Sequence, residues 1–203
     1  MSMSPDRGRS ASALIDVDDS ILVVIDLQQS FLDKLDEKLG RPILQRAAWL
    51  IELAKLLGVP IVVTAEDMPT LGGPVAEIER RLPRGTPILD KMVFGLADDE
   101  GVMPVVAALG RTTAVLVGLE TDVCIAHSAL GLLREGCRVC VVRDATGSPE
   151  DGHGHGLARL QGTGVVMTST KGLFYEWTRT ASRAEAIRSA LAEAIELPSG
   201  LVL

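Results

Sequence analysis

Short runs that are apolar at almost every position recur along this chain, and they restrict its fold more than any other feature. ILVVID (21–26), VPIVVTAE (59–66), TTAVLVG (112–118), RVCVVRDA (138–145) and VVMTST (165–170) are such runs, and TPILDK (86–91) is a weaker one. A strand with one face in water alternates apolar and polar residues, whereas a strand apolar throughout is covered on both faces. Segments with helical spacing lie between the runs. RPILQRAAWLIELAKLLG (41–58) ends in Gly58, a residue suited to a helix C-cap. GGPVAEIERRL (72–82) reads as a loop into a short helix. DDEGVMPVVAALG (98–110) and TDVCIAHSALGLLREG (121–136) are helices stopped by Gly110 and Gly136. SPEDGHGHGLARLQGTG (148–164) is a glycine-interrupted helix, and TRTASRAEAIRSALAEAI (178–195) closes the chain with good helix formers. Strands alternating with helices imply parallel pairing. The expected fold is α/β, a three-layer α/β/α domain around a mainly parallel six-stranded sheet, Rossmann-like in outline.

With 203 residues, 47% of them hydrophobic, the chain suits one domain with a sizeable core. The expected division is a polar, mobile arm over 1–17 and a single domain over 18–203. The net charge is −7 and no Lys/Arg block occurs, so nucleic acid and anionic membranes are poor partners. No apolar run approaches the ~20 residues of a membrane span. MSMSPDRGRSASAL lacks the apolar core of a secretory signal, so a cytoplasmic location is expected. Neither a G-x-G-x-x-G nor a P-loop follows the first strand, and no cofactor is implied.

In a parallel sheet, ligands bind outside the carboxyl ends of the strands. Asp26 ends the first run, Lys91 the third and Cys124 follows the fourth, so all three point to one edge. Thr121 and Asp122 are helix-capping types, which puts Cys124 in a first helical turn, where the dipole favours a thiolate. A sulfur nucleophile, a carboxylate that moves the proton and an ammonium that balances charge make a coherent acyl-transfer set. The other cysteines, Cys137 and Cys140, form CRVC. A redox or metal pair is one reading, but such pairs open helices or join further ligands, and burial in a strand is favoured.

VVIDLQQSF (23–31), DKMVFGLA (90–97), VLVGLETDVCIAHSALGLLREGCRVCVVRDATGS (115–148) and GVVMTST (164–170) together resemble the isochorismatase-like cysteine hydrolases. That family includes nicotinamidases and N-carbamoylsarcosine and ureidoacrylate amidohydrolases. The resemblance spans about residues 20–175. It implies that Asp26 is general base and later acid, that Lys91 positions Asp26 and lowers the thiol pKa, and that Cys124 is the nucleophile. It also implies a cis peptide at Leu119–Glu120, aiming the backbone N–H groups of Glu120 and Cys124 at one point as an oxyanion hole. The implied activity is metal-independent hydrolysis of a C–N bond in a small amide, carbamoyl or ureido substrate through an acyl-enzyme, in a homo-oligomer (dimer or higher). Alternatives are a non-catalytic binding protein of the same fold, or an isochorismatase-type hydrolase of a different small molecule.

Some positions depart from the family. Nicotinamidases place an acid and two histidines after the second strand to hold a metal. Here TAEDMPTLGG (64–73) offers Glu66 and Asp67 without a histidine. Isochorismatases proper generally do not use the cysteine. Glu120 stands where a Thr is frequent, and Ser30 where an acidic or Asn-type residue is. Phe31, Glu66, Phe94 and His127 are the expected pocket residues. His127 as base to Cys124 is disfavoured, because one helical face leaves the imidazole little freedom to turn onto the sulfur. Asp151, His153 and His155 alternate in DGHGHG, but alternating side chains meet one ion only in an extended segment, so no metal site is expected. KGLFYEWTRT (171–180) concentrates aromatics in a chain with few of them. It suits a subunit interface bordering the pocket, with Trp177 as a pocket candidate; packing of the last helix is the alternative.

Overall fold

The computed structural model describes residues 13–203. Six strands form one sheet: β1 (Ser20–Ile25), β2 (Ile61–Glu66), β3 (Ile88–Lys91), β4 (Thr113–Leu119), β5 (Arg138–Gly147) and β6 (Val166–Thr168). Their order is β3-β2-β1-β4-β5-β6, and every pairing is parallel. The helices are α1 (Gln29–Leu32), α2 (Glu37–Leu57), α3 (Met68–Leu71), α4 (Ala76–Glu79), α5 (Val102–Ala108), α6 (Ala126–Arg134), α7 (Gly152–Leu160), α8 (Thr170–Thr178) and α9 (Ala181–Ala194). Among the described residues no helix is long and apolar enough to cross a membrane.

The uniformly apolar strands split their side chains between two cores. Leu22 and Val24 of β1, with Val115 and Val117 of β4, face α2, α8 and α9. Ile21, Val23 and Ile25, with Ala114 and Leu116, face α5, α6 and α7. The central strands β1 and β4 are buried along their whole length, which is why their runs read as apolar on both faces, whereas β3 and β6 at the edges are only partly buried. Cys140 points into the first core, whereas Cys137 borders the second. The CRVC segment therefore belongs to strand packing, and its two sulfurs lie on opposite sides of the sheet.

Several boundaries differ from expectation. α2 begins at Glu37, a turn before Arg41, and carries Pro42 inside it; it ends as expected at Gly58 in the left-handed conformation. β6 stops at Thr168, because Ser169 caps a further helix: its hydroxyl accepts from the N–H of Gly172 at 3.1 Å. In that helix, α8, Phe174 and Trp177 are buried in the first core against Trp49. The arm expected over 1–17 falls partly outside the described residues, at 1–12. From residue 13 onward the chain is pinned. Arg138 donates to the carbonyls of Ala13 and Leu14, Arg179 donates to that of Ile15, and the Ile15 side chain is fully buried.

Candidate active site

The C-terminal edge of the sheet gathers the chemistry. β2 and β3 are in register with Glu66 opposite Lys91, so their last side chains rise together. β1 runs straight into Asp26, which has φ 50°, a left-handed conformation that aspartate tolerates better than most residues. Lys91 Nζ lies 2.7 Å from Asp26 Oδ2, 3.7 Å from Cys124 Sγ and 3.5 Å from Glu66 Oε2, and it donates to the carbonyl of Val93 at 3.2 Å. The hydroxyl of Thr64 donates to Asp26 Oδ1 at 3.1 Å. The Cys124 thiol donates to Glu66 Oε2 at 3.4 Å. Asp26, Lys91 and Cys124 are sealed from solvent, while the Glu66 side chain keeps 20% of its surface exposed.

Cys124 is presented by a tight turn. The Leu119–Glu120 peptide is cis. The carbonyl of Glu120 accepts from the N–H groups of Val123 and Ile125, at 3.2 and 3.0 Å, so the helix opens with a wide, π-type turn over Thr121–Ile125. Gly118, at φ 122°, is obligatory below it: a Cβ there would stand 1.9 Å from the carbonyl oxygen of Ile25. Asp122 accepts from the hydroxyl of Ser148 at 2.6 Å, and the Thr121 hydroxyl pairs with His153 Nδ1 at 2.9 Å. Gly156 of α7 touches the same turn so closely that a Cβ would sit 2.7 Å from the backbone N of Asp122. Gly152 and Gly156 of DGHGHG thus serve close packing against the Asp122 turn, whereas Gly154 faces open space. His153 is spent on Thr121 and His155 is exposed, so the two imidazoles are not brought to one ion.

Burial and charge act jointly on the site. Burial raises the Asp26 carboxyl above the usual range, and Lys91, Cys124 and Thr64 pull it down without cancelling the shift. Burial opposes the charge of Lys91, yet Asp26, Cys124 and Glu66 together hold its ammonium above the ordinary lysine value. The Cys124 thiol is pushed well up by burial and by the Asp26 carboxylate, with Glu66 adding to them; Lys91 offsets only part. Lys91 pulls the thiol down, as expected, but burial first and the two carboxylates after it outweigh that pull. Cys124 rests as a thiol with bases at hand.

The other expected pocket residues divide. Phe31 is buried, with the Lys34 ammonium 4.4 Å above its ring; that ammonium also pairs with Glu120 at 3.0 Å, so Phe31 sits beside the Glu120 turn. Phe94 and His127 are exposed and meet edge-on at 5.9 Å. Cys124 is partnered by Lys91, Glu66 and Asp26, and His127 faces solvent instead. Trp177 is a correction. It is fully buried, and its indole N–H donates to the hydroxyl of Ser20 at 3.2 Å, at the opposite end of β1 from Asp26. An apolar ring with one polar atom to satisfy found its partner in the core. Thr64, inside β2, and Ser148, just beyond β5, support the site although nothing in their sequence surroundings marks them for it.

A groove of about 560 Å³ runs between α2, the end of β5 and α7, lined among others by Leu39, Ile43, Arg143 and His153. It contains none of Asp26, Lys91 and Cys124. The chemistry sits apart from this groove, on side chains sealed from solvent.

Among the described residues, Asp26, Glu66 and Cys124 are the one trio whose ligand-type atoms lie within 4.8 Å of one another. The Lys91 ammonium already stands among them, so this set does not fit a resident metal cation.

Residues 20–171 match the family model described as the isochorismatase domain. The secreted isochorismatase effector Isc1 of Phytophthora sojae is 31% identical over 170 residues, covering 82% of this chain and 80% of that protein. The MAR1 ribonuclease of Caenorhabditis elegans superposes with a TM-score of 0.79 at 25% identity, over 94% of this chain and 98% of that one. The YcaC gene product of Escherichia coli, an octameric hydrolase of unknown specificity, superposes with a TM-score of 0.80 at 25% identity, over 90% and 91%. Domain match, relatives and sheet order converge: the chain belongs to the isochorismatase domain family of hydrolases.

Proposed function

We propose that this protein is a metal-independent cysteine hydrolase that cleaves a C–N bond of a small amide, carbamoyl or ureido substrate. The observation that carries the reading is one ammonium, Lys91, 2.7 Å from a buried carboxylate and 3.7 Å from a buried thiol. Asp26 takes the thiol proton as the sulfur attacks the carbonyl carbon, and the raised basicity of this carboxylate suits that task. The backbone N–H groups of Glu120 and Cys124 receive the developing oxyanion, worth about 3 kcal/mol per donor in comparable sites. Asp26 then protonates the leaving nitrogen, the C–N bond breaks, and a thioester remains on Cys124. Water releases the acyl group. Lys91 keeps the cluster's charge balanced throughout. The isochorismatase-type alternative without sulfur is disfavoured by the bases arranged around Cys124.

The E. coli neighbour is octameric, and this chain is proposed to form a dimer or higher oligomer of its own. The C. elegans neighbour is a ribonuclease by name, but a net charge of −7 without a basic block argues against RNA as the substrate here.

A panel of small amides and ureas assayed for ammonia release tests the proposal, with Cys124→Ala as control. Release that survives in Cys124→Ala removes the nucleophile from the reading. A blank panel, combined with iodoacetamide labelling of Cys124 that is unchanged in Asp26→Asn, moves the weight to a binding protein.

A further inference from the structure

Asp26, Lys91 and Cys124 leave one neighbour without a task. Glu66 is the second carboxylate on the sulfur, accepting from Cys124 Sγ at 3.4 Å. It is also clamped. The side chain of the buried Gln28 accepts from the Glu66 N–H at 2.8 Å and donates to the Glu66 carbonyl at 2.8 Å, and the same amide donates to the carbonyl of Gly72 at 2.6 Å. A fully buried glutamine spent on both backbone groups of one residue fixes where that residue's side chain starts. Of the ionisable groups around the sulfur, Glu66 alone keeps contact with solvent, at 20% exposure against none for Asp26 and Lys91.

Resting on the acyl-enzyme reading above, we infer that the two acids divide the reaction, with Glu66 acting as the base of deacylation. Asp26 is fully buried, with one oxygen 2.7 Å from the Lys91 ammonium and the other held by Thr64. Water entering the sealed site comes from the exposed side, and there it meets Glu66, which is farther from Lys91, at 3.5 Å. The steps balance. The water oxygen attacks the thioester carbon and its proton passes to Glu66 Oε2. The C–S bond breaks, the acyl group leaves as a carboxylic acid, and the sulfur recovers the proton from Glu66. The Sγ–Oε2 contact is the path of that last transfer.

The experiment separates the two half-reactions in the full chain, with p-nitrophenyl acetate and the smaller S-methyl thioacetate as acyl donors. The burst of released thiol or nitrophenolate reports acylation, and intact mass reports acetyl-Cys124. In Glu66→Gln the burst is expected within about 3-fold of the natural chain, while deacylation slows by about 100-fold and acetyl-Cys124 accumulates. Glu66→Ala tests the same point independently: added formate is expected to restore its deacylation and leave its burst unchanged. Deacylation within about 3-fold in Glu66→Gln overturns the division, as does equal slowing of both phases or an absence of formate rescue. A natural chain that never acetylates Cys124 fails at the earlier step and overturns the acyl-enzyme reading along with it.

Discussion

Cys140 in the middle of β5 and Cys124 after β4 are both buried thiols, and burial raises both: Cys140 to about 12, Cys124 further. By that measure neither is a nucleophile. They differ in what stands beside them. Cys140 points into an apolar core, with Glu176 raising it further and Arg138 pulling it down. Cys124 has a carboxylate on the sulfur and an ammonium that also grips a second carboxylate. A thiol in the second setting can lose its proton at the moment of attack, without a standing thiolate.

The sharpest way to break this comparison is to delete each sulfur. Cys124→Ala is expected to lower hydrolysis by roughly 10⁶-fold, the scale seen when a nucleophile is removed. Cys140→Ala should leave the rate within about 2-fold and lower Tm by a few degrees, read by calorimetry. Equal losses would mean that the partners do not matter. Asp26→Asn comes next. Asparagine also tolerates the left-handed backbone at this position, so the change is chemical more than conformational. Acyl-enzyme formation should fall about 10²–10⁴-fold in single-turnover kinetics. Because the Asp26 carboxyl lies above its ordinary 3.8, the acid limb of acylation should also lie above that pH.

Lys91→Ala leaves Asp26 without its buried counter-ion, and urea unfolding should show a loss of about 3–5 kcal/mol. Gly156→Val drives a side chain into the Thr121–Asp122 backbone and should cost about 1–3 kcal/mol, with activity falling because the Cys124 turn shifts. The smallest effect concerns pH. Burial, aided by Arg143 and opposed by Asp122, holds His153 below the ordinary 6.5. As pH falls below 6.5 the unfolded chain takes up the proton more readily than the folded one, so stability should decline there and be fully present above. His153→Gln should flatten that decline in Tm measured against pH.

The central strands were legible because burial on both faces leaves few polar residues to blur the pattern, and Asp26, Lys91 and Cys124 were legible because each stands at or just beyond the end of a strand run. Glu66 was readable as a pocket residue, but its contact with the sulfur depends on the β2–β3 register, which places it opposite Lys91. The resting thiol was not legible either, since it reflects the sum of burial and two carboxylates that only the folded chain assembles. Trp177 misled for a related reason. Its neighbours in sequence look like contact surface, and only the cap at Ser169 turns the segment into a helix that delivers the ring to the core.

Both tryptophans, Trp49 and Trp177, occupy the layer of the sandwich on the far side of the sheet from Cys124. Intrinsic indole emission is thus a gauge of one layer only. It should redshift when α2 and α8 come away from the sheet, resist quenching by iodide until then, and stay silent while the chemistry on the other side turns over.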